Sequence, residues 1–231
     1  MTPASLAERA LIVVPATAAE IDTTGNGGGV LDAKRLLDIV GSLILIVFLA
    51  PVMLLVAVAV YLIDGSHPIY AHRRVGRGGA SFRCFKYQTM CRDADRELER
   101  LLMASPELRA QWQRDHKLEP DPRVTRLGCI LRITSLDELP QLFNVLSGDM
   151  TLVGPRPIVA SELSRYGRYV GHYSAVRPGL TGLWQVSGRS MTTYRRRVAA
   201  DVVYVRSQSM VLDLWILART VPAVLTCRGS Y

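Results

Sequence analysis

A chain of 231 residues is long enough to bury one sizeable core. Its net charge of +8 and its pI near 9.6 point to an anionic partner, leaving nucleic acid, anionic lipid and phosphorylated substrates open on charge alone. The four cysteines (Cys84, Cys91, Cys129 and Cys227) form no C-x-x-C pair and have no histidine at ligand spacing, which argues against a zinc site or a disulfide framework and fits free thiols.

Residues 1–33 read as a poorly ordered lead-in, ending in the linker-like run from Thr23 to Gly29. Residues 10–19 mimic the core of a signal peptide, but Glu8 and Arg9 cancel and Pro15 interrupts the run.

Residues 39–63 contain no charged side chain. As one helix they extend about 38 Å, enough to cross a hydrocarbon core of about 30 Å. Pro51 stands in the middle, removes a backbone donor and predicts a sharp kink. Both flanks are basic: Lys34 and Arg35 precede the segment, while Arg73, Arg74, Arg77, Arg83 and Lys86 follow it. A straight span would place one cluster outside, against the positive-inside bias. A helix broken at Pro51 that enters one leaflet and returns keeps both clusters in the cytosol, facing anionic headgroups. The re-entrant form is the preferred expectation, ahead of the straight span, and a buried core helix is the weakest reading because 25 uncharged residues exceed what a small core usually hides. A break at Pro51 would free a carbonyl one turn earlier, and Ser42 is a candidate to compensate.

Arg73 to Gly79 is a turn-rich basic patch without P-loop spacing. Residues 81–87 alternate polar and apolar and predict a short strand. Residues 93–103 predict a charged helix, and Ser105-Pro106-Glu107 supplies the cap, first-turn proline and acid that start another. A helix is expected over about 193–206. The apolar run 210–225, interrupted by Asp213, Arg219 and Pro222, either packs in the core or lies in the membrane interface with Trp215 as an anchor. The expected fold is therefore mainly α with a few short strands. Its parts are the lead-in (1–33), the Pro-broken re-entrant membrane helix (34–64) and a catalytic domain with interfacial helices (65–231).

The residues richest in chemistry are the adjacent acids Asp137 and Glu138. Structurally, Ser135-Leu136-Asp137-Glu138 satisfies a capping box, and Pro140 suits an early helical position if Asp137 is the cap. Either way the pair lies near a helix start, where phosphate is favoured. Chemically, one carboxylate can attack a phosphorus atom while its neighbour holds a metal, provided cations neutralise the pair. Arg123 and Arg126 come from one turn, Arg132 precedes the pair, Arg156 stands between two prolines, and Arg177 adjoins a Pro-Gly turn.

These residues resemble the bacterial sugar transferases of the polyprenyl-phosphate hexose-1-phosphate type, and within them the small exopolysaccharide-initiating enzymes. The likeness covers about residues 33–231. It rests on Lys34-Arg35 with Asp38, Phe85 to Met90, Asp121-Pro122-Arg123, Ser135 to Gln141, Gly148-Asp149-Met150, Val153 to Pro157 and Arg177 to Gly182. The resemblance implies a monotopic protein of the bacterial inner membrane with its catalytic domain facing the cytosol. It implies Asp137 as nucleophile on the β-phosphate of a UDP-sugar, release of UMP, Mg2+ held by Glu138, and transfer to undecaprenyl phosphate. It links Lys86, Arg132 and Arg156 to substrate or phosphate binding. Asp201 matches an acid that recurs in the family, though Arg197 one turn earlier offers it a plain ion pair. The expected partners are these two substrates and membrane lipid, with no nucleic acid; a homo-oligomer is compatible. Small relatives often carry Ser-Pro at the membrane break, where this chain has Ala50-Pro51.

Two other functions compete. A non-catalytic, membrane-anchored basic binding protein explains the charge and the apolar segment but gives the acid pair no role. A glycosidase needs its carboxyls about 5 to 9.5 Å apart across a sugar, an arrangement that adjacent residues serve poorly.

Overall fold

The computed structural model describes residues 27–65, 67–115, 118, 120–187 and 193–225. The sequence readings on residues 1–26 and Cys227 lie outside these.

The apolar segment forms a single helix, α1 (Gly27–Asp64), which begins inside the expected lead-in and is uninterrupted at Pro51. Along it, Asp38, Ser42, Met53, Val56 and Val60 are buried. With the half-buried Ile46 and Leu49 they make one stripe at spacings of three and four, so the domain lies along one face of the rod. The other faces carry fifteen exposed large apolar side chains, from Leu36 to Ile63. The Ser42 hydroxyl donates to the carbonyls of Asp38 and Ile39, in the turn before it. It therefore gives nothing to the carbonyl that Pro51 deprives of a donor.

Polar contacts fix the rod at both ends. Near its start, Asp38 accepts from the Thr151 hydroxyl (2.9 Å) and the Leu152 amide (2.8 Å), and Arg35 donates to the carbonyls of Val145 and Leu146. At its end, the Thr125 hydroxyl donates to Asp64 at 3.0 Å. Between them, the buried Tyr87 hydroxyl donates to the Met53 carbonyl at 2.7 Å.

After α1 comes an antiparallel hairpin, β1 (Ile69–Val75) and β2 (Ser81–Tyr87), the second strand as expected. Its register sets Tyr70 opposite Lys86, His72 opposite Cys84 and Arg74 opposite Phe82, so Arg74, Cys84 and Lys86 share one face. Helices α2 (Ala94–Ala104) and α3 (Pro106–Asp115) follow, and Ser105 accepts from the Leu108 amide as a cap should. Then come α4 (Arg126–Ile133), a single 3-10 turn (Leu136–Glu138) and α5 (Gln141–Ser147). The outer edge of β2 is closed by Asn144 of α5. Its carboxamide accepts from the Phe85 amide (2.9 Å) and donates to the Arg83 carbonyl (2.7 Å), copying the pairing of a further strand.

Strand β3 (Thr151–Val153) pairs in parallel with β4 (Gly179–Thr181). The crossover contains α6 (Leu163–Tyr166) and α7 (Val170–Ala175). Helices α8 (Leu183–Ser187), α9 (Tyr194–Arg206) and α10 (Met210–Leu225) complete the described chain. The main core gathers Leu142, Val145, Met150, Leu152, Leu183, Tyr204, Leu212 and Ile216 from α5, β3 and α8 to α10. In helix α10, Leu212 and Ile216 enter the core as the first alternative expects, while Val211, Leu214 and Val221 remain exposed. Trp215 packs against the core, with Arg219 over its ring.

Candidate active site

The acid pair sits on the 3-10 turn between α4 and α5. Ser135 enters it with left-handed backbone (φ 58°), unusual for a residue with a β-carbon, and makes no side-chain cap. The capping box thus does not form. Pro140 is itself the residue that caps α5, where its missing N–H costs nothing. Leu136 and Leu139, on either side of the acids, pack into a cluster with Val56 and Val60 of α1, Tyr87 and Leu131. The turn that carries the carboxylates therefore shares one apolar cluster with the apolar helix.

Lys86 meets both acids. Its ammonium donates to Glu138 Oε1 at 2.7 Å and lies 3.5 Å from Asp137 Oδ2, while Arg156 reaches Glu138 Oε1 at 3.6 Å. Burial pushes Glu138 upward, but Lys86 and Arg156 outweigh it and hold the carboxyl at about 2. Asp137 is shifted the other way. Its burial, reinforced by the Glu138 charge, outweighs Lys86 and raises its pKa. One member is thus held firmly ionised, and the other is the less stabilised anion.

Arg156 owes its position to three glycines. A β-carbon on Gly154 would stand 2.7 Å from the Arg177 carbonyl, one on Gly179 2.1 Å from the Gly154 amide nitrogen, and one on Gly182 2.3 Å from the Gly154 carbonyl. Only bare backbone lets the Gly154 to Pro157 loop settle on β4, where the Gly179 amide donates to the Pro155 carbonyl at 2.7 Å. The resulting cleft is lined by Arg74, Lys86, Glu138, Gln141, Arg156 and Gln185, among others.

The other expected site residues are distributed differently. Arg132 is held by the Thr89 hydroxyl at 3.0 Å and is among the charges acting on Asp137. Arg123 is committed elsewhere: it grips Asp121 with two bonds (2.9 and 2.7 Å) and stacks on Trp112. Arg126 is exposed at the start of α4. Arg177 is partly buried and is not among the residues that line the cleft; burial first, then the charges of Arg35 and Arg77, lower its pKa. Asp201 is buried in α9 and accepts from the Tyr166 hydroxyl at 2.7 Å, while burial lifts its pKa to about 7. It forms no ion pair with Arg197, whose guanidinium instead covers the Trp184 ring at 4.6 Å, with Arg156 on the same ring at 6.0 Å.

Two cleft residues, Arg74 and Gln185, went unread in the sequence. Arg74 shares the Lys86 face of the hairpin, and its pKa is lowered by burial and by Arg156. Strand alternation would have found it had 69–75 been recognised as the partner of 81–87. Gln185 left no local signal.

No group of three or more metal-binding side chains occurs among the described residues. Magnesium does not require one, because it commonly binds one or two carboxylates and takes water and substrate phosphate as its remaining ligands. A Glu138 held ionised by Lys86 and Arg156 on the cleft wall, beside Asp137, fits that donor set.

The profile of the bacterial sugar transferase family matches residues 30–227, so a catalogue of short motifs becomes a single assignment. The chain belongs to the bacterial sugar transferase family. It is 51% identical over 199 residues to an uncharacterized sugar transferase of Haemophilus influenzae, and 48% identical over 198 residues to an undecaprenyl-phosphate galactose phosphotransferase of Salmonella typhimurium. These matches cover 86% of this chain but only 42% and 41% of those proteins. With the exopolysaccharide production protein ExoY of Sinorhizobium fredii it shares 45% identity over 204 residues, 88% of this chain and 89% of ExoY.

Proposed function

We propose that this chain transfers a hexose 1-phosphate from a UDP-sugar to undecaprenyl phosphate, releasing UMP, as the first membrane step of exopolysaccharide synthesis. The functions named for several relatives support the reaction class: galactose phosphotransferase in Salmonella, and UDP-glucose:undecaprenyl-phosphate glucose-1-phosphate transferase in Caulobacter vibrioides. The observation that carries the reading is the acid pair held by Lys86 and Arg156 on a turn whose flanking leucines join an apolar cluster with residues of the apolar helix.

In this mechanism the diphosphate enters the cleft and draws Lys86, Arg74 and Arg156 onto its oxygens. Asp137, the less stabilised carboxylate, attacks the β-phosphorus. The bond from that phosphorus to the bridging oxygen breaks, and UMP leaves with the electron pair. A phosphate oxygen of undecaprenyl phosphate then attacks the same phosphorus and frees the Asp137 carboxylate. Glu138 would hold magnesium, which supplies further neutralisation of the phosphate charge. A non-catalytic binding protein would have no use for a deeply buried Asp137 beside an ionised Glu138.

The apolar helix is proposed to bend at Pro51 while staying helical, so that it enters one leaflet and returns, with the catalytic domain in the cytosol. From Lys34 to Asp64 the helix measures about 45 Å along its axis, and one domain grips it near both ends and in the middle. A straight crossing would pull the polar surface of that domain through hydrocarbon, where unpaired backbone and charge are costly.

The test is to incubate membranes containing the protein with UDP-sugar, undecaprenyl phosphate and magnesium, and to measure UMP. Release is expected, and is abolished by a chelator and by Asp137→Asn; full turnover by Asp137→Asn removes the nucleophile assignment. For topology, single cysteines at the exposed positions Ala33 and Ala80, in a chain freed of its own cysteines, are both labelled from the cytosol only. Periplasmic labelling at position 33 restores the straight span.

A further inference from the structure

Gln185 on α8 has an unusual hydrogen-bond inventory. Its side-chain amide donates to the Leu180 carbonyl at 3.3 Å, which fixes the carboxamide. Its other end, Oε1, is buried and has no hydrogen-bond partner, one of three such side-chain atoms among the described residues. A buried acceptor without a donor carries an uncompensated desolvation penalty and is uncommon in folded proteins. This one belongs to a residue that lines the cleft with Lys86, Glu138 and Arg156. The room it occupies depends on Gly182, since a β-carbon there would stand 3.2 Å from Oε1.

The cleft therefore offers two kinds of recognition. Arg74, Lys86 and Arg156 are donors only and match phosphate oxygens, which only accept. Gln185 Oε1 accepts and has nothing to accept from; a phosphate cannot satisfy it, but a hydroxyl can. In a UDP-sugar the hexose is bonded to the β-phosphate, the group placed at Asp137 and Lys86. The ribose and the uracil lie beyond the α-phosphate.

We propose that Gln185 Oε1 accepts a hydrogen bond from a hydroxyl of the hexose and so helps to select which UDP-hexose binds. This rests on the UDP-sugar reading of the cleft. It assigns Gln185 to specificity, apart from the phosphate chemistry of Asp137 and Glu138. A site built to pair with a substrate hydroxyl discriminates strongly against the analogue that lacks it, because its own polar atom is then left buried and unpaired.

The experiment is a coupling cycle between one side chain and one hydroxyl. Equilibrium binding of UDP-glucose, UDP-galactose and their 2-, 3-, 4- and 6-deoxyhexose analogues is measured by calorimetry on the full chain. An Asp137→Asn background prevents covalent capture, and Gln185→Leu is compared with Gln185. We expect Gln185→Leu to weaken the preferred UDP-hexose by about tenfold, and the weakening to vanish for the one analogue lacking the recognised hydroxyl. Gln185→Glu, which keeps an acceptor, retains the coupling. Should Gln185→Leu melt early, Gln185→Ala takes its place.

Equal weakening across all the analogues, or none, overturns the proposal. So does coupling to a 2′-deoxyribose or N3-methyluracil analogue in place of a deoxyhexose. UMP release by the unmodified chain is read separately. Coupling without release leaves this proposal standing and removes the transferase reading, while release without coupling does the reverse. Failure to bind any UDP-hexose removes both.

Discussion

Two lysines in this protein meet buried carboxylates, and they differ in what else surrounds them. Lys34, at the start of α1, donates to Asp213 (2.6 Å), to the Val153 carbonyl (2.9 Å) and to the Tyr204 hydroxyl (3.2 Å). Its three donors have three acceptors, and the second oxygen of Asp213 takes the Tyr204 hydroxyl at 2.7 Å. The set is closed and offers a ligand nothing. Lys86 faces two acids with one ammonium, next to Arg156, Arg74 and an unpaired carboxamide oxygen, in a cleft. The same pairing serves as a clamp where every group is satisfied, and as a candidate reaction centre where charges are crowded and incompletely matched.

Breaking the open site should separate activity from stability. Asp137→Asn is expected to lower UMP release by roughly a thousandfold or more, as loss of a nucleophile does. The melting temperature should stay level or rise, because burial already disfavours the Asp137 charge. Thermal melts and UMP assays on the same preparations check both halves. A fall in stability equal to the fall in activity would make Asp137 a structural acid.

Breaking the closed site should give the opposite pattern. Asp213→Asn leaves the Lys34 ammonium in a pocket where Asp213 is 1% exposed, without its counter-charge. The expected loss is about 3 to 5 kcal/mol of stability. The folded fraction should retain its turnover, since none of these groups lines the cleft. Denaturant titration, with activity normalised to folded protein, measures both.

How far the sequence revealed this contrast depended on the range of the interaction. Features written in neighbouring residues were legible: the alternation of 81–87, the Ser105-Pro106 helix start, the Thr193-capped helix and the uncharged run 39–63. The acid pair stood out for the same reason, as did Arg132 and Arg156 on either side of it. Side-chain partnerships across the fold were not legible. Arg123 and Arg177 stood at turns as promising as that of Arg156, yet Arg123 is taken by Asp121 and Arg177 is not among the residues that line the cleft. The Asp201 to Arg197 spacing suits a helical ion pair, but the tertiary fold brings Tyr166 to the acid and Trp184 to the arginine. Lys34 and Asp213 are separated by 179 positions, and no local pattern links them.

Asp201 sharpens the contrast from a third direction, as a buried acid with a hydroxyl donor and no paired cation. Its pKa is about 7 in the folded chain, against an ordinary 3.8. Below pH about 4 both folded and unfolded chains hold the proton, and its contribution is fully present. Between about 4 and 7 the unfolded chain releases the proton while the folded chain keeps it, so stability falls as pH rises. Above about 7 the loss is complete. A shift of about three units corresponds to roughly 4 kcal/mol as an upper bound. Asp201→Asn, which keeps an acceptor for Tyr166, should flatten that slope. Melting curves from pH 4 to 8 on the parent and the variant would show it, and parallel slopes would mean that Asp201 ionises freely.

The smallest expected effect concerns the turn that makes the open site open. Ser135 holds a left-handed conformation that costs an L-residue roughly 1 kcal/mol, and its side chain returns no cap bond. Glycine adopts the same angles without that cost but gains freedom in the unfolded chain, so the two terms partly cancel. Ser135→Gly should therefore shift stability by less than about 1 kcal/mol. Its effect on turnover is the informative part. If the strained serine serves to hold Asp137 and Glu138 against Lys86, a freer turn lowers kcat several-fold while leaving the melt almost unchanged. An unaltered kcat would mean that Leu136 and Leu139, through the apolar cluster they join, fix the acids without help from the residue before them.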